Sequence, residues 1–337
     1  MKLLRLLPVK GFSSMRFWIA LLFCTVLGCV CTVLGCGRVT DRSKTFDANT
    51  QVPETHEIRL MDRLGREVRF TKIPTRIVSL SPSTTELLFA IGLGSSIVGR
   101  TEHCDYPPEA LEIATVGSGT LEGISRETIV SLQPDLVLCK SDSHQPLIET
   151  FEKLEIPIVG FGPENIQEMF NEARQIGSVT GHEAEAEALI ERMSNRLERL
   201  KAAVVKIEPT ERKRAFYQVW DAPLMTAGPT SFIGELLTTA GFENVFSDLT
   251  TRYTRVSSEV IVERDPQIIF APTTHSTEVK VEAFATRPGW EKVSAVRNGQ
   301  IFIINGDQVS RCGPRQLDAL EQMIRLGYPE AAAELDP

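Results

Sequence analysis

Two segments of the chain recur in the same order, and this internal repeat limits the possible folds more than any other feature. Residues 86–93 (ELLFAIGL) are echoed by residues 235–242 (ELLTTAGF), and residues 127–137 are echoed by residues 259–269. In both copies of the second segment a proline follows the glutamate by seven positions. The first segment is typical of a helix that ends at a glycine, and the second of a short helix, a proline stop and a buried strand. The repeat predicts an α/β fold with two similar Rossmann-like lobes.

The stretch between the two copies, residues 181–208, has no proline and no glycine after Gly181. Apolar residues recur in it at helical spacing, at Ala184, Ala188, Leu189, Met193, Leu197, Leu200 and Val204. About 25 helical residues would span nearly 40 Å. We therefore expect a first lobe at 58–180, one long connecting helix at 181–208 and a second lobe at 209–330, with a ligand cleft between the lobes.

Local patterns around the first repeat predict individual elements. Residues 58–70 form two short runs about Gly65, which indicates a hairpin with its turn at that glycine. Residues 76–80 are a short run with β-branched residues, typical of a buried parallel strand. Ser83 and Glu86 have the spacing of a capping box, which predicts a helix that begins at Thr84.

The first forty residues have the character of a bacterial lipoprotein leader. Four basic residues precede an apolar stretch, and two tetrapeptides ending at Cys29 and Cys36 resemble the lipobox. Cys36 is the better lipidation site because polar sequence begins directly after it, at Arg38. We expect a signal peptide at 1–36 and a flexible tether at 37–57, with cleavage at Cys29 or an uncleaved anchor as alternatives. In each case the remainder lies outside the cytoplasmic membrane, in the periplasm or at the cell surface.

The charge of the chain argues against one class of protein, and its cysteine content limits the number of disulfides. The formal net charge is −8 and, without the four bases of the leader, about −12, which argues against nucleic-acid binding. Three cysteines follow the leader (Cys104, Cys139 and Cys312), so at most one disulfide can form. We expect Cys104 and Cys312 to lie near the cleft, where they either approach one another or the ligand, or remain buried and inert.

No sequence pattern indicates an enzyme or a metal centre. The motifs G-x-S-x-G, H-E-x-x-H and the Walker loop are absent, and no C-x-x-C follows the leader. The five histidines are scattered singly, and we expect His144 and His182 to be exposed. The chain is predicted to be no enzyme and to hold no cofactor and no metal.

From about Ile58 to Pro329 the chain resembles the substrate-binding proteins of bacterial ABC importers, in the class (class III) with one rigid helix between two lobes. The most specific segments are 76–86, 103–108, 133–137 and 310–315, and the first two are most similar to vitamin B12-binding proteins. The resemblance implies a monomer that captures cobalamin or a related corrinoid and delivers it to an ABC permease with its ATPase subunits.

The same resemblance implies roles for individual residues. Glu127 and Glu259 match glutamates that dock into arginine pockets of the permease, although a place in a first helical turn also explains them. Four residues match positions that bind the ligand in the family, namely His103, Tyr253, Asp307 and Arg311. Tyr106 and Trp220 are predicted to bind it as well, because Tyr106 follows the strand around residues 97–99 and Trp220 ends the strand at 215–219, and the loops after the strands should line the cleft. For the aromatic ones the alternative is ordinary packing, and for Arg311 it is a pair with an acid at the rim. Trp290 is expected in the core.

The sequence departs from the B12-binding pattern at three places where that subclass has tryptophan. It has Gly119-Thr120-Leu121 at the first, Lys140 near the second and Gln308 near the third. These changes leave a haem or iron–siderophore binder of the same fold as an alternative. An enzyme or cofactor-assembly domain on a similar two-lobe scaffold is the alternative from another class.

Overall fold

The computed structural model of the chain describes residues 58–273 and 279–335. The predicted signal peptide with Cys29 and Cys36, the predicted tether 37–57, and the histidines His56 and His275 lie outside the described residues. Within the described ranges, no helix has the length and apolar character needed to span a membrane.

The first lobe is built on a parallel sheet of four strands, preceded by a hairpin. Its strands are β1 (Ile58–Met61), β2 (Glu67–Phe70), β3 (Ile77–Ser79), β4 (Ile97–Arg100), β5 (Leu136–Lys140) and β6 (Ile158–Phe161). Its helices are α1 (Pro82–Ala90), α2 (Arg126–Ser131), α3 (Gln145–Lys153) and α4 (Ile166–Thr180). The sheet has the order β4-β3-β5-β6, and β1 pairs antiparallel with β2. Gly65 has φ +74° at the predicted turn, so the hairpin prediction is confirmed.

The second lobe contains a larger, mixed sheet. Its strands are β7 (Arg214–Trp220), β8 (Met225–Ala227), β9 (Glu243–Asn244), β10 (Tyr253–Arg255), β11 (Ile268–Pro272) and β12 (Ile301–Ile304). The order is β10-β8-β7-β11-β12, with β9 beside the start of β7. The helices that follow the connecting helix α5 (Glu183–Val205) are α6 (Phe232–Thr239), α7 (Ser258–Arg264), α8 (Glu282–Ala285), α9 (Ser294–Arg297), α10 (Gly306–Ser310), α11 (Gln316–Gly327) and α12 (Pro329–Ala332).

The sequence repeat corresponds to a structural repeat. In each lobe the central strand, β5 or β11, lies between two parallel partners, and a short helix capped by a serine precedes it. Helices α1 and α6 are both followed by a glycine with positive φ, Gly92 at +85° and Gly241 at +84°. The predicted α/β fold with two lobes is therefore confirmed.

One continuous helix lies within the stretch expected to connect the lobes. Helix α4 ends at Gly181 in the left-handed conformation, and α5 runs from Glu183 to Val205, about 35 Å. The buried stripe of α5 includes Leu189, Met193, Leu197, Leu200 and Val204, as predicted. Ala184 and Ala188, however, are exposed, and Ala186 and Ile190 take their place. The lobe limits at 180 and 209 stay predictions.

A single apolar core extends through both lobes. Alternate residues of the central strands point to opposite faces: Leu138 of β5 and Phe270 of β11 join this shared core, which also takes in the buried stripe of α5. Their neighbours Val137 and Ile269 belong to separate outer clusters, one for each lobe. Each large apolar side chain on α5 contributes roughly 1.5–3 kcal/mol when buried. The helix is therefore packed along its length.

Helix α1 begins earlier than the sequence predicts. Its first residue is Pro82, preceded by Ser81 as the N-cap, whereas the capping-box spacing predicts a start at Thr84. Proline at the first helical position has its φ already set for the helix. The Glu86 carboxylate does not close a capping box, because two arginines of the second lobe occupy it.

Candidate functional site: the cleft between the lobes

A cavity of about 370 Å³ lies between the two lobes, at the carboxyl ends of β3, β5 and β6 in the first lobe. The first lobe lines it with Arg63, Ser81, Pro82, Ser83, Lys140, Ser141, Asp142, Gly162, Pro163 and Glu164. The second lobe lines it with Thr230, Ser231, Phe232, Arg252, Tyr253, Ser310, Arg311 and Cys312. The wall is thus rich in hydroxyl groups and charges, and contains few aromatic rings.

The two repeated helices begin at this cavity. Helix α1 starts at Pro82 and α6 at Phe232, and both first residues line the wall from opposite sides. The Ser231 hydroxyl accepts a hydrogen bond from the Gly234 N–H at 3.0 Å, which fixes the start of α6. The first turns of two helices leave backbone N–H groups without helical partners, so each lobe brings hydrogen-bond donors to the cleft.

Most of the cations in the wall are already paired with carboxylates. Glu164 accepts from Arg63 at 2.7 Å and from Arg252, and this second pair joins the two lobes. Lys140 makes no ion pair with any described residue. Burial tends to raise the pKa of Asp142, but the charge of Lys140 and the hydrogen bonds from Ser143 lower it more, so this pKa lies below its usual value. The cleft is therefore polar, with its charges largely balanced.

Beside the cavity, a buried ion-pair cluster connects the lobes. The Glu86 carboxylate, only 3% exposed, accepts from Arg315 Nε at 2.9 Å and Nη2 at 2.5 Å, and from Arg311 Nη1 at 3.3 Å. Arg311 also pairs with Asp105 at 2.8 Å and with Asp307 at 3.0 Å. Burial opposes the charge of Arg311, but these carboxylates outweigh it and hold the arginine pKa above its usual value.

Comparison with known proteins identifies the family. The periplasmic binding protein family matches residues 77–307. The chain belongs to this family. An uncharacterized ABC transporter substrate-binding lipoprotein of Bacillus subtilis, YvrC, is 29% identical over 322 residues, which are 94% of this chain and 98% of the relative. A vitamin B12-binding protein of Yersinia pestis is 31% identical over 251 residues, 74% of this chain and 85% of the relative.

A solved structure supports the same assignment. A possible iron-binding, periplasmic solute-binding protein from Staphylococcus epidermidis aligns with a TM-score of 0.68 and 27% identity. The alignment covers 76% of this chain and 100% of that protein. The predicted family is confirmed. The chain is a solute-binding protein that works outside the cytoplasm, and it is not an enzyme.

Two of the six predicted ligand-binding residues, Tyr253 and Arg311, line the cavity of this periplasmic binding protein. Asp307 pairs with the wall residue Arg311, whereas the Tyr106 ring lies 3.6 Å from the guanidinium of Arg315, which is not itself in the wall. All six binding roles stay predictions.

The other two predicted aromatics lie elsewhere. Trp220 lines a second cavity, of about 270 Å³, in the second lobe beside Phe284 and Arg287. Tyr253 lines the cavity between the lobes, so Trp220 and Tyr253 line different cavities. His103 is exposed and lies beside Gly119. Trp290 is fully buried in the core, as predicted.

The expected exposure of two histidines is wrong. His144 is fully buried: its Nδ1 accepts from the Lys140 N–H and its Nε2 bonds with the Gly119 carbonyl, both at 3.2 Å. Burial lowers the His144 pKa, so the ring is neutral and donates through Nε2. His182 is half-buried against Thr180. His144 thereby fixes the loop 140–142, which lines the cleft; sequence reasoning missed it because a scattered histidine carries no local signal of burial.

The three cysteines after the leader are free and buried. Cys312 lines the cleft and donates to the Asn165 carbonyl at 3.5 Å, whereas Cys104 lies against Thr101 at 3.1 Å and is not in the cavity wall. The two thiols have different neighbours and form no disulfide. Burial raises the pKa of both. In the described ranges no three His, Cys, Asp or Glu side chains are grouped to hold a metal.

The two predicted docking residues occupy equivalent exposed positions. Glu127 and Glu259 lie in the first turns of α2 and α7, each two residues after a serine N-cap. The hydrogen bond from the Ser257 hydroxyl to Glu259 lowers the pKa of that carboxyl. Each lobe therefore presents one exposed carboxylate at the same place in the repeat, and the docking role stays a prediction.

Proposed function

We propose that the chain is the substrate-binding lipoprotein of an ABC importer, and that it captures cobalamin or a related corrinoid without altering it. The observation that carries this proposal is the balanced charge of the cleft. A corrinoid is a wide disc fringed by amides, which need hydrogen-bond partners but no net counter-charge. Serine hydroxyls and paired guanidinium groups from both lobes offer such partners. The similarity to vitamin B12-binding proteins supports the same ligand class.

A second candidate ligand is an anionic one, haem or a ferric siderophore. Lys140 favours it, because this cation lines the cleft and has no ion-pair partner among the described residues. An anionic group could pair with the ammonium of Lys140. The similar protein described as possibly iron-binding is consistent with this candidate.

Calorimetric titration of the soluble part, residues 38–337, separates these candidates. We expect cyanocobalamin or dicyanocobinamide to bind with one-to-one stoichiometry, and haem and ferric siderophores to bind at least tenfold more weakly. A Lys140→Gln variant should retain corrinoid affinity. Tighter binding of haem or a siderophore, lost in Lys140→Gln, would instead establish the anionic ligand. Recovery of a chemically changed ligand would indicate an enzyme.

We further propose that the mature chain is anchored through a lipid on Cys36 and works as a monomer without a cofactor. The relative from Bacillus subtilis is named as a lipoprotein, which supports the anchor. The Cys36→Ala variant should move from the membrane fraction to the soluble fraction or keep an uncleaved leader. Cys29→Ala is the matched control and should behave like the wild type; the reverse pattern would place the lipid on Cys29.

The proposed partner is an ABC permease with its ATPase subunits, engaged through Glu127 and Glu259. Two fixed anions on separate lobes would set the register on a basic surface. Combining Glu127→Ala with Glu259→Ala should reduce ligand uptake at least tenfold and leave ligand affinity unchanged. Glu122→Ala with Glu263→Ala removes two other exposed carboxylates near the same helices and should leave uptake intact. Equal loss of uptake and affinity would refute this division of roles.

A further inference from the structure

Glu86 is the only carboxylate among the described residues that two arginines of the opposite lobe hold in a buried site. It lies on α1 of the first lobe, and both arginines lie in the second, where Arg311 directly follows α10 and Arg315 directly precedes α11. Arg315 grips both carboxylate oxygens with its Nε and Nη2 atoms. A bidentate pair of this kind fixes direction as well as distance.

The cluster also reaches two predicted parts of the ligand site. Arg311 is in the cavity wall, and the guanidinium of Arg315 covers one face of the Tyr106 ring. Glu86 itself does not line the cavity. Its carboxylate therefore acts on the cleft through the two arginines, whose placement depends on it.

We propose that Glu86 is a positioning residue of the cleft, which clamps Arg311 and Arg315 through its carboxylate. In the ligand-free protein this clamp sets the spacing of the two lobes and the orientation of the Arg311 and Tyr106 side chains. The inference rests on the proposed function for its ligand, but the clamp is a property of the free protein. The lobes share one core and are joined by α5, none of whose residues lines the cavity, so contacts at the cleft such as this one limit how far the cleft opens.

The physical argument is the cost of an unpaired buried charge. Two guanidinium groups that lose their shared carboxylate can regain solvation only if the lobes separate at this edge. Arg311 retains Asp105 and Asp307, whereas Arg315 has no other ion pair within the described residues. Loss of the Glu86 carboxylate should therefore loosen Arg315, and the Tyr106 ring that it covers, before it loosens Arg311. A cleft that opens more often retains its ligand for a shorter time.

Hydrogen–deuterium exchange of the ligand-free full chain, followed by mass spectrometry, tests the clamp directly. The variant Glu86→Gln keeps the size of the side chain and removes its charge. We expect amide exchange in residues 83–86 and 312–317 to be at least tenfold faster than in the wild type, with α5 unchanged. The control Arg174→Met breaks an ion pair between α4 and α5 that involves neither segment, and should leave both segments as they are.

Cyanocobalamin dissociation, measured by stopped flow, supplies the functional readout. We expect Glu86→Gln to raise the dissociation rate about tenfold with a smaller change in the association rate, and Arg315→Met to do the same. The double variant should be no worse than either single one, because both remove one clamp. If Glu86 had only a structural role, Glu86→Gln would lower stability and leave the cyanocobalamin dissociation rate unchanged, which would overturn the proposal. Additive effects of the two substitutions on the dissociation rate of the double variant would overturn it as well. If the wild type fails to bind cyanocobalamin, the ligand assignment is wrong, while unchanged exchange in Glu86→Gln still overturns the clamp.

Discussion

The two copies of the repeat place a glutamate at equivalent positions of α1 and α6, Glu86 and Glu235, but the surroundings of the two side chains differ. Glu86 is buried and held by two arginines of the other lobe, whereas no hydrogen bond or ion pair within the described residues reaches the carboxylate of Glu235. Burial raises the Glu235 pKa, with only partial relief from Lys201. An internal repeat thus predicts the backbone of each lobe, and not the long-range pairs that distinguish one lobe from the other.

Removal of each glutamate gives the largest expected contrast. Glu86→Ala should lower the free energy of unfolding by about 3 kcal/mol, because it leaves Arg315 without an ion-pair partner and removes one of the three carboxylates around Arg311. Glu235→Ala should change it by less than about 0.5 kcal/mol, since no partner is lost. Urea denaturation followed by circular dichroism measures both. Similar values for the two variants would remove the asymmetry between the lobes.

The glycines that end the repeated helices provide the next contrast. Both have positive φ, so the backbone strain of an alanine at either position should by itself cost about 1 kcal/mol. A Cβ at Gly92 would meet nothing within 4 Å, whereas at Gly241 it would lie 2.6 Å from the Val204 side chain on α5. We therefore expect Gly241→Ala to cost roughly 2–3 kcal/mol and Gly92→Ala about 1 kcal/mol. Thermal unfolding compares the two variants, and equal costs would contradict the packing of α6 against α5.

These contrasts show how much of the fold could be predicted. Helix α5, the hairpin and the two lobes follow from periodicity, glycine positions and the repeat, all of which are local patterns. The buried contacts of Glu86 do not, because its partners lie 225 and 229 residues further along the chain.

The candidate site was predicted less completely, for the same reason. Tyr253 and Arg311 reach the cavity wall, but Trp220 lines a different cavity of the second lobe. Its place at the end of β7 carries no local signal of which cavity its side chain lines. The serines of the wall and the buried His144 have ordinary sequence surroundings. The serines gain a place in the site only where the two lobes meet, and His144 does so through its contact with Gly119, 25 residues earlier in the chain.

A buried carboxylate without an arginine clamp should make stability depend on pH. Burial raises the pKa of Glu172 to about 8, and the only hydrogen bond that reaches its carboxylate in the described part of the chain comes from the Gly162 N–H, at 2.7 Å. The folded state therefore keeps a proton that the unfolded chain loses at about pH 4.5, so this stability is complete below that pH and lost as pH rises through about 8.

The Glu172→Gln variant tests this dependence. Between pH 6 and pH 8 the wild type should lose about 2 kcal/mol of unfolding free energy through this group, and the variant should not. Urea denaturation at both pH values gives the difference. Equal pH dependence in the two proteins would show that Glu172 is ionised in the folded state.

The smallest expected effect concerns the second ion pair between the lobes. Arg252 is 52% exposed and its partner Glu164 is 33% exposed, in contrast to the buried clamp at Glu86. Arg252→Met should therefore change the free energy of unfolding by less than about 0.5 kcal/mol, and less still in 1 M salt. A loss comparable to that of Glu86→Ala would mean that both rims of the cleft hold the lobes together equally.

The most direct test of ligand capture between the lobes is hydrogen exchange of the protein saturated with cyanocobalamin, relative to the free protein. We predict slower exchange in residues 81–84, 140–142 and 162–164 of the first lobe and in residues 230–232, 252–254 and 310–312 of the second. Slower exchange in one lobe alone, or only around Trp220 and Phe284, would contradict binding in the shared cleft.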